Sequence, residues 1–314
     1  MNLSAHIHTF GQWLLARHGQ RVHKLALNVG FTCPNRDGSI GIGGCTFCNN
    51  VSFNPQGRSQ PSIAQQIEAG RRVVRKRTGA RRYLAYFQAY TNTYDELEAL
   101  RRRYDEALRE PDVIGLSIGT RPDCVPDAVL DLLAGYQARG IEIWLELGLQ
   151  SAFDASLAAV NRGHGFAEYA DALQRARQRG LPVCTHLILG LPGETQWHYR
   201  ESLRRVLALG VDGLKLHPLH VVKGTALANQ WRAGNYQPLT FDAYVKAASD
   251  LIVRTPRDVI FHRVTGTASR QILLAPAWCS EKWRVLNAIA KTVSEAGGQG
   301  ASYRRSSGKP HVAV

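Results

Sequence analysis

Apolar runs of four to seven residues alternate with longer segments whose apolar positions recur every three to four residues, and the alternation holds from residue 25 to residue 216. Residues 25–29, 83–89, 113–118, 141–147, 183–189 and 213–216 have strand length and continuous apolarity, while 63–77, 95–109, 126–139, 168–178 and 196–209 carry the helical period. Helix ends are marked chemically: Pro126 stands in a first turn, and Gly140, Gly180 and Gly210 follow last turns. Strands apolar along their whole length suit burial on both faces, and right-handed crossovers curl a parallel sheet of such strands into a full or partial barrel. The expected fold class is therefore α/β, a partial (β/α)6 barrel with a short C-terminal extension. Its expected organisation is an N-terminal segment over 1–20, the barrel core over 21–225 and the extension over 226–314. Within the extension 241–253 and 281–296 read as helices and 259–263 as a short strand or extended piece. The end from Gly297, with Arg304, Arg305 and Lys309, reads as a disordered tail or a nucleic-acid-facing arm.

Active-site groups of such a fold sit at the C-terminal ends of the strands. Polar residues stand there in every unit: Cys33, Cys45 and Cys48 after the first, 88–93 after the second, 120–123 after the third, 146–151 at the fourth, 186–194 at the fifth and His217 at the sixth. The cysteines lie in T-C-P-N-R-D-G-S-I-G-I-G-G-C-T-F-C. Thiolates are soft ligands that select zinc or an iron–sulfur cluster. Three of them leave a coordination position open, which a four-iron cluster can use to bind an outside molecule; a structural zinc wants a fourth ligand, for which His23 or Asp37 would serve. A disulfide framework is not expected, because the first eight residues lack a signal-peptide pattern and the six cysteines are unevenly spread, so the chain reads as a protein of the reducing cytosol.

With 314 residues, 44% of them hydrophobic, the chain can bury one large core, and no apolar run approaches the roughly 20 residues of a membrane span. The formal net charge of +14 changes the picture, because it is concentrated. Ten basic residues stand against three acidic ones between Arg71 and Arg103. Such a face attracts phosphate backbones. The candidate nucleic-acid contacts are Arg71, Arg72, Arg75, Lys76, Arg77, Arg81 and Arg82, with Lys215 and Lys223 around the sixth strand; the alternative is a solvated arginine-rich surface.

The cysteine loop followed by six β/α units resembles the radical S-adenosylmethionine (SAM) superfamily. The run E-L-G-L-Q-S-A-F-D-A-S-L-A-A-V-N-R-G-H over 146–164 and L-I-L-G-L-P-G-E-T over 187–195 resemble the catalytic subunit of Elongator and the oxygen-independent coproporphyrinogen oxidases. T-R-P-D over 120–123 and D-G-L-K-L-H-P-L-H-V-V-K-G-T over 212–225 are again Elongator-like, and the overall pattern is most similar to the small bacterial YhcC/YtqA group of radical SAM proteins. The resemblance covers roughly residues 20–265.

This resemblance implies that Cys33, Cys45 and Cys48 hold a [4Fe-4S] cluster whose open iron chelates SAM, and that an electron from an external flavodoxin- or ferredoxin-type donor cleaves SAM to a 5′-deoxyadenosyl radical. It places Phe47 against adenine, Gln150, Arg162 and His186 at the SAM ribose and carboxylate, and Thr91 in the segment that usually carries glycines. The chain departs from the family in its C-x11-C-x2-C spacing where C-x3-C-x2-C is familiar, in having Gly119 where relatives have glutamate, and in having only about 50 residues after Val264, without an acetyltransferase domain. Cys279, flanked by Trp278, Lys282 and Trp283, is a candidate radical quencher or substrate contact, set against a helix start that packs its tryptophans; Cys124 and Cys184 read as buried core cysteines. The expected function is radical SAM modification of RNA, a tRNA base of the anticodon region. The alternatives are a radical SAM enzyme acting on a small molecule or protein, and a zinc-stabilised nucleic-acid-binding protein.

Overall fold

The computed structural model describes residues 3–49 and 61–303. In chain order its elements are α1 (Phe10–His18), β1 (Val22–Leu27), α2 (Ile63–Thr78), β2 (Arg82–Phe87), α3 (Leu97–Leu108), β3 (Val113–Thr120), α4 (Asp127–Ala138), β4 (Glu142–Gln150), α5 (Asp154–Ala159) and α6 (Phe166–Gln178). They continue with β5 (Val183–Leu189), α7 (Gln196–Ala208), β6 (Gly213–Pro218), β7 (Val221–Val222), α8 (Ala226–Arg232), α9 (Phe241–Val253), β8 (Ile260–Arg263), β9 (Leu273–Ala275) and α10 (Lys282–Glu295). Seven strands pair in parallel in the order β1-β2-β3-β4-β5-β6-β8, and β7 and β9 form a separate antiparallel pair. The segment 259–263 thus becomes the seventh strand of the main sheet rather than an appendage, since Gly213 and Leu214 of β6 pair with Ile260 and Phe261.

The sheet curls into a half-barrel, open between β1 and β8. Side chains cross its interior: Lys24 on β1 reaches Glu146 on β4 and, at 3.1 Å, His262 Nδ1 on β8. The two-residue period of a strand sorts each run into two faces. In β4, Ile143, Leu145, Leu147 and Leu149 join the outer core under the helices, whereas Trp144, Glu146, Gly148 and Gln150 fall on the inner face.

The N-terminal segment holds a helix that the apolar pattern did not mark. Thr9 caps α1 in a reciprocal capping box with Gln12, and Gly19 ends the helix in the left-handed region at φ 67°. Phe10 and Leu14 plug the N-terminal end of the half-barrel against Val22, Leu84, Trp144, Cys184 and Ile260, with Phe10 stacked on His262 at 3.8 Å. The helix is short and Leu15 on its other side is exposed, so the sequence period alone is weak there. Residues 297–303, the described part of the expected tail, are tied down: the buried Gln299 side chain donates to the Pro256 and Val259 carbonyls and accepts from the His8 N–H at 2.7 Å. Buried amide bonds of this kind hold residues 297–303 against the N-terminal segment. Arg304, Arg305 and Lys309 lie outside the described residues.

Candidate active site

The C-terminal ends of the strands surround one cavity, whose free space including its open mouth is about 1230 Å³. Cys33, Cys45 and Cys48 line it on one side, with Phe47 between the last two, and Thr91, Gln150, Arg162 and His186 line the rest. The structure therefore brings the three cysteines and all five candidate cofactor contacts to one cavity.

The long cysteine loop is folded back on itself by short-range bonds. The Gly44 N–H donates to the Asn35 carbonyl at 2.7 Å and the Cys48 N–H to that of Cys45 at 2.9 Å. Gly44 has φ 79°, and a Cβ there would stand 2.8 Å from Arg36 Cγ, so the reversal needs glycine. Asn35, 1% exposed, donates to the Asn161 carbonyl at 2.5 Å and lies 3.7 Å from Cys45 Sγ, which ties the loop to the turn after α5. Arg162 follows that turn: one of its nitrogens is 3.5 Å from Cys45 Sγ, another donates to the Gly148 carbonyl at 2.6 Å, and its buried Nε has no partner among the described residues. Burial, then the neighbouring Cys45, pushes the Cys48 thiol up to about 11 against the pull of Arg36.

Among the described non-glycine residues, Tyr90, Gln150 and Asn161 have positive φ, at 65°, 79° and 52°. Tyr90 and Gln150 line the cavity and the Asn161 side chain donates to the Gly44 carbonyl at 2.9 Å. Such backbone costs of order 1–3 kcal/mol per residue and gathers at functional sites.

At the bottom of the cavity sits an ion cluster that sequence reading missed. The Glu146 carboxylate, fully buried, is bonded to Lys24 and Lys215, accepts from Ser117 Oγ at 2.6 Å and from His186 Nε2 at 2.8 Å, and has His262 Nδ1 3.6 Å away. Burial alone would keep this carboxyl neutral, but Lys215 and Lys24 outweigh it and hold it well below the usual carboxylate range. Burial and the Lys215 charge lower His186 to about 4, so its ring is neutral near pH 7. Because a carboxylate only accepts, His186 carries its proton on Nε2 and leaves Nδ1 as an acceptor. Lys215, lowered to about 8 by burial, also donates to the Tyr86 hydroxyl at 2.8 Å, and Tyr86 lines the cavity floor. The signal for this cluster was present: Lys24, Glu146 and Lys215 are charged residues inside apolar runs, on the inward phase of each strand.

Two candidates are not where the sequence suggested. Lys215, 2% exposed, is an interior residue paired to Glu146 and cannot meet a nucleic acid at the surface. Cys279 is 1% exposed, packs in the core and does not line the cavity; burial pushes its thiol to about 12, and the adjacent Trp278 stacks on Tyr244 at 5.1 Å. Cys124 and Cys184 are buried as expected. The two proposed zinc partners do not serve either. His23 lies at the start of β1, the opposite end from the cysteines, and the exposed Asp37 carboxylate accepts from the Ser39 N–H and hydroxyl. Among the described residues no three Cys, His, Asp or Glu side chains converge on a point for one metal ion. Zinc with bonds of about 2.3 Å needs its thiolates about 3.8 Å apart, whereas a four-iron cube takes each thiolate on a separate iron. Three cavity-lining thiols beside a buried guanidinium nitrogen that has no partner among the described residues fit the cluster.

Of the basic candidates, Arg72, Arg75, Lys76, Arg77, Arg81, Arg82 and Lys223 are exposed, while Arg71 is half-buried between Glu68, Glu110 and Asp112.

Comparison with known proteins identifies the family. Residues 27–206 match the family model of the Radical SAM superfamily and residues 211–295 that of the Radical_SAM C-terminal domain. The chain is 50% identical over 305 residues to Protein YhcC of Escherichia coli (strain K12), covering 97% of this chain and 98% of that one. It is 38% identical over 306 residues to YtqA of Bacillus subtilis (strain 168), covering 97% and 95%. It is 32% identical over 154 residues to a tRNA uridine(34) acetyltransferase of Dehalococcoides mccartyi, covering 48% of this chain and 33% of that protein. Among solved structures, Elp3 of Methanocaldococcus infernus shares the fold with a TM-score of 0.63 at 18% identity, over 88% of this chain and 63% of that one.

Proposed function

The chain belongs to the radical SAM superfamily and is a radical SAM enzyme, and from that premise we propose that it modifies RNA, at a tRNA base of the anticodon region. The observation that carries the chemistry is the convergence of Cys33, Cys45 and Cys48 with Arg162, Gln150 and Phe47 on one cavity at the strand C-termini. Cys33, Cys45 and Cys48 would hold a [4Fe-4S] cluster, and that cluster, given an electron from a flavodoxin- or ferredoxin-type donor, would supply reductive cleavage of SAM as the source of a 5′-deoxyadenosyl radical. Arg162, whose Nε has no partner among the described residues, takes a carboxylate through its planar fork. Phe47 offers a ring for adenine to stack on. Gln150, turned into the cavity by its left-handed backbone, offers an amide to ribose hydroxyls, and His186 accepts a hydrogen bond through Nδ1 while staying uncharged. Thr91, 1% exposed, fixes the second strand end: its N–H donates to the Thr32 carbonyl at 3.1 Å and ties that strand end to the start of the cysteine loop.

RNA as substrate is supported by the exposed basic residues and by the partial similarity to a protein whose name places its activity at tRNA uridine 34. The test has two stages. Anaerobic protein loaded with iron and sulfide is given dithionite and SAM, and 5′-deoxyadenosine is followed in parent and Cys48→Ala; formation by the parent alone is expected. Nucleosides of tRNA from a deletion strain are then compared with those of the parent strain, and unchanged profiles would overturn the RNA reading while leaving the radical chemistry standing.

A further inference from the structure

The basic stretch does not face the cavity, and that position says something about the size of the substrate. Arg75, Lys76 and Arg77 form the last turn of α2, which descends from the cavity end of the half-barrel, and Arg81 and Arg82 stand at the start of β2. Arg21 joins them by donating to the Thr78 carbonyl at 3.0 Å. Among the described residues none of these six cations forms an ion pair, unlike Arg71 and Arg72 one turn earlier, which bind Glu68. Lys282 at the start of α10 lies close enough for its charge to be suppressed by Arg77 as well as by burial, which comes first, and Arg263. The second basic run is elsewhere and largely neutralised: Arg101 pairs with Glu98, and Arg103 pairs with Asp95 over the Phe31 ring.

We infer that this six-cation patch, Arg21, Arg75, Lys76, Arg77, Arg81 and Arg82, binds the phosphodiester backbone of a folded RNA at a point remote from the reacting nucleotide, so that the enzyme acts on a whole folded RNA and not on a short oligonucleotide. The inference rests on the RNA reading proposed above. Its geometry is that of β2: Arg82 opens the strand and Gln88, one residue past its end, lines the cavity. Six steps at about 3.3 Å separate patch and cavity by roughly 20 Å. A ligand touching both therefore spans on the order of six stacked nucleotides, taking about 3.4 Å along one strand, before counting the path around the rim. An acidic redox protein is the other polyanion to consider, but a donor docked here would be separated from the cysteine loop by the full height of the sheet, and electron transfer weakens steeply with distance. Charge with no protein counter-ion, held where the redox centre is not, fits a backbone anchor.

The experiment is equilibrium binding of unmodified full-length tRNA, and of a five-nucleotide fragment carrying the reacting base, to the cluster-loaded parent and to the Arg75→Gln/Lys76→Gln/Arg77→Gln variant at several salt concentrations. Glutamine keeps the helix propensity of α2. With each neutralised phosphate contributing about 0.7–0.9 to the slope of log K against log salt, the variant loses about 2–3 from the slope for tRNA and nothing for the fragment. Substrate-independent 5′-deoxyadenosine formation is unchanged in the variant, which checks that the fold and the cavity survive. An unaltered tRNA slope overturns the inference, as does an equal loss for the fragment. A variant that keeps its tRNA slope but loses affinity for an acidic flavodoxin-type protein overturns it in favour of a protein dock. Failure of the RNA reading itself shows separately, as unchanged nucleosides in tRNA of the deletion strain.

Discussion

Replacing Glu146 by glutamine tests the ion cluster at the floor of the cavity. Glutamine keeps the shape but has a single carbonyl oxygen, so it accepts from only one of Ser117 and His186, which donate to different carboxylate oxygens, and it leaves Lys24 and Lys215 in the barrel interior with no counter-charge. Breaking one side of a buried ion pair costs about 3–5 kcal/mol. Lys215 bounds its own share, because it can deprotonate instead of staying charged: from a free value of 10.5 to pH 7 that is 3.5 units, or roughly 4.8 kcal/mol. With an unfolding entropy of about 2.1 cal/mol/K per residue, a chain of 314 residues has ~0.66 kcal/mol/K, so the expected fall in Tm is about 5–8 °C. Thermal unfolding of the reduced, metal-free protein followed by circular dichroism measures it without interference from the cluster. The double variant Glu146→Gln/Lys215→Met removes one stranded cation with its partner, so its loss is smaller than the sum of the two single losses by at least about 1 kcal/mol. Additivity within about 0.5 kcal/mol, or a Tm change below about 1 °C in Glu146→Gln, would refute the view that these charges form one interdependent unit.

Three further outcomes follow from the same geometry. His186 has a folded value of about 4 against a free value of 6.5, so the unfolded chain binds more protons between those pH values and stability falls as pH drops from 6.5 to 4; the loss from His186 is about 3 kcal/mol, read from urea midpoints across that window, and His186→Gln flattens it. Below the usual carboxylate range Glu146, also depressed in the fold, extends the loss. Gln150→Gly relieves a left-handed backbone and removes the amide, so it raises or preserves Tm, by up to a few °C, while 5′-deoxyadenosine formation drops about tenfold or more; equal losses of both would assign Gln150 a structural role only. Cys279→Ala leaves 5′-deoxyadenosine formation and product yield unchanged at a stability cost of about 1 kcal/mol, and a loss of product at full cleavage of SAM would return the thiol to the reaction.

What the sequence disclosed and what it hid divide along a physical line. The outer face of the sheet was legible, because Ile143, Leu145 and Leu147 answer to a two-residue period and to the helices packed on them, and the turns after α4, α6 and α7 are announced by glycines at φ 82°, 69° and 78°. The cysteine loop was legible because thiols at that spacing have few structural uses. The inner face was not, because its logic is pairwise across the barrel: Lys24, Glu146 and Lys215 are 122 and 69 residues apart, and each alone is a charge interrupting an apolar run. Only the curl of the sheet makes them partners, and the same curl turns Lys215 from a plausible surface contact into a buried counter-ion. The basic stretch shows the converse limit. Its charge was evident from composition, but α2 runs opposite to the strands, so the cations closest in sequence to β2 sit at the end of the half-barrel farthest from the chemistry. A residue count gives the net charge; the direction of one helix determines which end of the half-barrel carries it.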